Sequence, residues 1–407
     1  MRRFLSATVV ATALASLFVA TSGPADADGS VGLAPGVSLS HRTFRFHGPQ
    51  SVWTLSINLS PHTRLVSTTP QRKIGAPRVN LLALARQEGA IAGINGDTLY
   101  FTDPTNQPRS GVAYNGHTLK SPLQGQQAVL YTTTANRANI GNVAFSGRYW
   151  WYTTSTYGKS YPHIGNINTY NSLENAKNGG MTFTDSNLLT RPSMRTIGNA
   201  AAQRVTPSCS RVDLQPLSVT RTATGTTGSY RVAGYHTKLS RYTRVTSGRN
   251  ALFTCGAADK QYLATRIHVG MTFNLTVGYK VPHIVSLISG IQRLIVGGKA
   301  YRDKTGLYDQ GQKQLADTFA CVMKGGTHVL LGTVEGRKRG ATGMTYAQLT
   351  AYLLGRHCYT AMALSGSTDS QLVAKRPHSA LAFQNRLNYK FGNKPNGLVD
   401  GLLVVTS

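Results

Sequence analysis

VNLLALARQEGAIAGINGD, residues 79–97, reads as a helix that feeds a strand whose tip carries chemistry. Asn80 is placed to cap the helix and Gly89 to stop it, because glycine accepts the positive φ at which helices end. AIAGI, residues 90–94, is then a short buried strand that delivers Asn95, Gly96 and Asp97 to its C-terminal end. Asn and Gly tolerate positive φ and Asp bonds to nearby amides, so the tip is at least a turn. TLYFTDPTNQPRSG follows at 98–111, and its aromatics, glycine and single Arg109 exceed what a turn needs. The tip therefore reads as a turn or as one wall of a cleft.

The C-terminal third repeats the arrangement. VLLGTVEG, residues 329–336, predicts a strand ending at Glu335, Gly336 and Arg337, and MTYAQLTAYLLGRHC opens a helix with Thr345 and Gln348 at capping-box spacing. TAMAL, residues 360–364, is a second apolar strand, with SGSTDSQLV at its tip. Near the start, VWTLSINL at 52–59 alternates as a strand does. The pattern predicts an α+β fold, mixed sheets with packed helices, with sites where several strands end together.

The chain opens MRRF, continues with an apolar run and reaches Ala25-Asp26-Ala27, the pattern of a secretory signal over residues 1–27. No later segment offers about 18 unbroken apolar residues, so no transmembrane segment is expected. An exported protein meets an oxidising compartment, so the four cysteines are expected to pair. Three pairings are possible; Cys209 with Cys255 and Cys321 with Cys358 join the nearest neighbours in sequence.

Lys and Arg number 43 against 15 Asp and Glu, a net charge of +28 that loss of Arg2, Arg3 and Asp26 with the signal would make +27. Such a surface attracts polyanions. The basic residues are scattered and no nucleic-acid motif stands out, so no specific nucleic acid is expected as a partner. An anionic carbohydrate or cell-wall polymer is. The short list of acids also confines any catalytic carboxylate to a few positions.

Residues 195–280 are rich in Thr, Ser, Arg and Tyr, and YTRVTSG and MTFNLTV within them read as strands. This is a β-rich insertion stapled by Cys209 and Cys255, dividing one domain into parts at 28–194 and 281–407. Metal-binding His pairs, a His-Glu-x-x-His helix and an acidic calcium loop are missing from the sequence, so no metal or cofactor is expected. Gly-x-Ser-x-Gly is missing too, against an ordinary serine hydrolase. His283 reads as a structural histidine and Gly297-Gly298 as a hairpin turn.

In order along the chain, APGVSL, GAIAGINGDTLYF, GVAYNGHTLKSP, GNINTYNSLENAKNGGMTFTD, GMTFNLTV, SGIQRLIVGGKAY, TVEGRKRGATGMTYAQLTAYL and ALSGSTDSQLV resemble the phosphodiester glycosidase family. Three positions depart from its usual pattern. Ser365 stands where the family's Asp-Gly-Gly-Gly-Ser begins with aspartate, Thr318 where an arginine is usual, and Glu335 where an aspartate precedes Gly-Arg.

The resemblance implies a secreted hydrolase that cleaves a phosphate-linked sugar of a cell-wall polymer or exopolysaccharide. Expelling a phosphate monoester demands little proton donation; the larger needs are a carboxylate beside the oxocarbenium-like centre and cations or amides at the phosphate. Asp97, Glu335 and Asp369 are the candidate catalytic carboxylates. Arg109 and Arg337 are the candidate phosphate clamps, and Asn95, Gly96, Ser365, Gly366 and Ser367 complete the candidate substrate site. Loss of the usual aspartate and arginine implies the other outcome, an inactive family member that binds anionic carbohydrate or wall polymer.

Overall fold

The computed structural model describes residues 29–98, 106–123, 128–154, 160–171, 180–185, 209–222, 225–239, 249–301, 312–388 and 395–407. The proposed signal, the aromatic part of the first cleft wall and the YTRVTSG segment lie outside them.

Alternating apolar and polar residues make strands dominate, so the fold is β-rich and not clearly α+β. Among the described residues the α-helices are three and short: Leu81–Gln87, Ala257–Arg266 and Tyr346–Gly355. The helical readings hold locally. Asn80 Oδ1 accepts from the Ala83 N–H at 3.0 Å, Gly89 has φ 64°, and Thr345 and Gln348 close a complete capping box. The α+β expectation gave these two helices too much weight, because the Thr-, Tyr- and Val-rich stretches between them suit the pleat.

One eight-stranded antiparallel sheet runs Gly29–Ala34, Val37–Arg45, Pro49–Asn58, His328–Val334, Asp317–Val322, Thr360–Ala363, Gln292–Val296 and Lys299–Ala300 in spatial order. A five-stranded antiparallel sheet runs Leu381–Phe383, Leu372–Lys375, Ala92–Asn95, Gly401–Thr406 and Thr63–Thr68. Strand parity decides what each face meets. Leu55, Leu331, Ala320 and Met362 of the first sheet share one core with Ile94, Leu372, Leu402 and Val404 of the second. The opposite parity on the first sheet, with Phe319, Leu330 and Ala361, packs Leu349 and Leu353 of the helix Tyr346–Gly355. On the second, Val373 and Leu403 pack Leu81, Leu84 and Ala85. The order is helix, sheet, sheet, helix. Gly93, on a strand of that second sheet, is held to glycine by a close neighbour: an added Cβ would strike Leu403.

A second five-stranded sheet, His117–Lys120, Val112–Tyr114, Ile284–Ser289, Val129–Thr133 and Ala138–Gly141, closes the sandwich. A second eight-stranded sheet holds Ser160–Ile167, Phe145–Thr154, Thr272–Tyr279, Gly225–Leu239, Cys209–Thr222, Asn250–Thr254, Thr182–Thr184 and Thr169–Tyr170. Its core of Tyr149, Trp151, Phe183, Tyr230 and Phe273 packs against Leu263 of the helix Ala257–Arg266. This lobe takes in strands from residue 145 onward, ahead of the 195 at which composition changes. Both expected disulfides form, Cys209–Cys255 in the lobe and Cys321–Cys358 beneath the helix Tyr346–Gly355. Gly297 and Gly298, with φ of 62° and 74°, turn the hairpin between Gln292–Val296 and Lys299–Ala300.

Candidate functional site

Strands from both central sheets end together around Asn95. Its side-chain N–H donates to Ser365 O at 2.7 Å, while its Oδ1 accepts from Thr318 Oγ1 at 2.7 Å and from the Gln371 N–H at 2.9 Å. Asn95 is fully buried, so its amide is used up in joining three segments and has nothing left for a sugar hydroxyl. Thr318 occupies the position of the usual arginine as a member of this junction.

Ser365 N–H donates to Gly96 O at 3.0 Å, and Ser367 N–H to Ala316 O at 2.6 Å. The approach leaves no room for side chains. A Cβ at Gly96 would strike Ile288 and Asp400, and one at Gly366 would lie 2.8 Å from both Ala316 O and Asp317 Oδ1. Ser367 itself sits at φ 58°, an unusual conformation for a serine, in the short 3-10 turn Ser367–Asp369.

Four aspartates surround this junction. Asp97 is 5% exposed; Oδ1 accepts from the Thr98 N–H and Oδ2 from the Ser110 N–H, each at 2.7 Å. Its own N–H donates to Asp400 Oδ1 at 2.8 Å. Burial pushes the Asp97 carboxyl up to about 7, against the pull of those two amides and of the Arg109 and Lys120 charges. Asp400 is fully buried and lies well above the usual carboxylate range, through desolvation first and then the charge of Asp97. Asp317, beside Gly366, is raised by burial alone. Asp400 Oδ2 and Asp317 Oδ2 have no hydrogen-bond partner among the described residues. Asp369 is half-buried, its oxygens accepting from Ser365 Oγ at 2.8 Å and Asn396 Nδ2 at 3.1 Å.

Glu335 stands apart from these four in its bonding. Arg386 Nε donates to its Oε2 at 2.6 Å and the Arg386 N–H to its Oε1 at 2.7 Å, with Ser51 and Trp53 adding further donors. Both oxygens are committed, and the partner is Arg386 rather than the neighbouring Arg337 or Lys338. Arg337 is exposed at φ 54° just after that tip, and Arg109 is half-buried beside Asp97. His283 is an exposed loop residue at φ 59°.

Of the residues expected from sequence, Asn95, Gly96, Asp97, Ser365, Gly366, Ser367 and Asp369 meet at this junction; Asp400, Asp317 and Arg386 were not among those expected. The scarcity of acids was the one signal that could have found the first two. Asp400 precedes an apolar strand, GLLVVT, as Asp97 follows one.

A β-rich sandwich with buried carboxylates gathered at its strand tips is a frame for acid–base chemistry on a polar substrate. The phosphodiester glycosidase family model matches residues 218–405, a little less than half of the chain. The match holds Glu335, Ser365, Asp369 and Asp400, while Asn95, Asp97 and Arg109 lie ahead of it. No curated protein matches the chain in sequence. A hypothetical protein from Synechocystis has the same fold, with a TM-score of 0.69 at 14% identity, over 94% of this chain and 64% of its own. A Burkholderia pseudomallei protein assigned as exported aligns with a TM-score of 0.61 at 16% identity, over 88% of this chain and 74% of its own. The catalytic domain of zebrafish N-acetylglucosamine-1-phosphodiester alpha-N-acetylglucosaminidase aligns with a TM-score of 0.47 at 11% identity, over 93% of this chain and 88% of its own.

Proposed function

We propose that the chain is a secreted hydrolase of the phosphodiester glycosidase type, cleaving the sugar–phosphate bond of an anionic wall polymer or exopolysaccharide at the junction of strand tips. The observation that carries this reading is Asp97, a buried carboxyl raised to about 7, beside Asp400 and within the field of Arg109. The family match supports a hydrolase in general; the substrate is our inference from charge. Two disulfides, and no helix among the described residues long and apolar enough to cross a membrane, fit export.

In the reaction water adds to the anomeric carbon, the carbon–oxygen bond to phosphate breaks, and free sugar and a phosphate monoester leave. Asp97, which titrates near neutrality, takes the proton from water. Asp369 stands as the carboxylate that stabilises the oxocarbenium-like centre, and Arg109 and Arg337 hold the phosphate. Burial keeps the Asp97 carboxyl high, and Asp400 accepts its backbone N–H. Glu335 is reassigned from catalysis to positioning, since it ties the strand His328–Val334 to Arg386.

A panel of sugar 1-phosphodiesters offered to the purified protein, read by released sugar, tests the reading. Turnover that falls more than about tenfold in Asp97→Asn and Asp369→Asn, both still folded, supports it. Wall binding with no turnover of any member would make the chain the inactive binder.

A further inference from the structure

Strand parity gives the large sheet of the lobe two unlike faces. Tyr149 and Trp151 point into the lobe core, with Phe273 and Leu275 from the neighbouring strand Thr272–Tyr279. Arg148, Trp150 and Tyr152 alternate with them and point the other way. Pairing carries this outer face across five strands: Ile164, Trp150, Asn274, Ser229 and Ser218 stand in one row, and Asn166, Arg148, Thr276, Thr227 and Thr220 in the next. Tyr152 is 59% and Ile164 60% exposed, and Trp150 between them is partly exposed, so the three form one contiguous apolar patch.

Arg148 and Arg231 are the exposed cations of the face, and no position of the two rows is acidic. Asp213, two residues before Gln215 on its strand, is held by Arg211 at 2.8 Å and His236 at 2.9 Å. The face therefore complements an anion. Arg148 and Arg231 lie two strands and four residues apart, roughly 17 Å, too far to share one carboxylate or phosphate. The ligand is long. Trp150 and Tyr152 stand about 7 Å apart along their strand, a spacing that lets successive rings of a chain pack on each. Two cations over this span are too few for a nucleic acid, which carries a phosphate at every nucleotide. Three apolar side chains among hydroxyls and amides are too few for a lipid surface, whereas those hydroxyls and amides match the hydroxyls of sugars.

We propose that this face binds a strand of anionic polysaccharide, with sugar rings on Trp150 and Tyr152 and acid groups on Arg148 and Arg231. The site is separate from the strand tips, and its binding is measured without turnover, so it stands or falls apart from the catalytic reading. Polygalacturonate, neutral dextran and monomeric galacturonate are titrated calorimetrically into the full chain at about 0.3 M salt, where loose attraction to a strongly basic protein is screened. Polygalacturonate should bind at least about tenfold more tightly than the other two, and Trp150→Ala/Tyr152→Ala and Arg148→Gln/Arg231→Gln should each weaken it about tenfold while melting as the parent does. Tyr152→Ala alone, at an exposed ring, should weaken it about threefold and serves where the double aromatic variant does not fold. Parent-like binding in the aromatic variants, which keep every charge, would overturn the assignment, as would a monomer bound as tightly as the polymer. Preference for phosphatidylserine vesicles or oligo-dT over polygalacturonate would also overturn it. A dimer in sedimentation that Tyr152→Ala dissolves, with no polysaccharide bound, would give the face to a second copy instead.

Discussion

Asp97 carries a pH signature that its burial sets, against the pull of its neighbours. The unfolded carboxyl titrates near 3.8 and the folded one near 7, so the folded state binds this proton more tightly. Between those values the unfolded chain has released the proton while the folded one retains it, and stability falls as pH rises; above about 7 the cost is constant. Asp97→Asn removes that slope. Its melting temperature should trail the parent at pH 4.5, where it lacks one acceptor for the Thr98 and Ser110 amides, and overtake it at pH 8; parallel curves would refute the raised carboxyl. Glu335→Gln tests a side chain held by several donors, among them Arg386. Arg386 is half exposed, so solvent screens the pair and the loss should be modest, on the order of 1–2 kcal/mol by chemical denaturation. Turnover should fall far less than in Asp97→Asn. Asp97 was legible because its turn is local, Asn-Gly-Asp at the end of an apolar run. Arg386 was not, since 51 residues separate it from Glu335 and only the sheet brings them together.

The helices show what local sequence can specify. Thr345 and Gln348 satisfy each other's backbone donors across three residues, so the start of Tyr346–Gly355 could be read without any tertiary knowledge. Thr345→Ala should cost about 1 kcal/mol, and Leu349→Ala, at a fully buried position, about 2–5 kcal/mol. A smaller effect for Leu349 than for Thr345 in thermal denaturation would mean the helix is not seated on Phe319 and Leu330. The lobe was harder. Thr-, Ser- and Tyr-rich strands lack a strong apolar period, and a composition change at residue 195 does not reveal that Phe145–Thr154 already pairs with Thr272–Tyr279. The cysteines were legible from order alone. Each bridge closes a loop, with separations of 46 and 37 residues, and loop-closure entropy puts each near 4 kcal/mol.

At the scale of the molecule, charge and chain order govern behaviour. The net charge of +28, or +27 without the proposed signal, should make retention on anionic cell walls fall steeply as salt shortens the Debye length from about 10 Å at 0.1 M to about 3 Å at 1 M. Retention unchanged across that range would point to sugar contacts in place of field. The strand Gly401–Thr406 lies between Ala92–Asn95 and Thr63–Thr68, pairing Gly401 with both Asn95 and Thr68. Two strands made early therefore wait for a third made more than 300 residues later, and Asp400 reaches Asp97 only when it arrives. Contacts of such sequence separation form slowly. During synthesis the first half of this sandwich has no completed sheet to collapse into, and a chain cut short before residue 401 would leave the strand-tip junction unassembled.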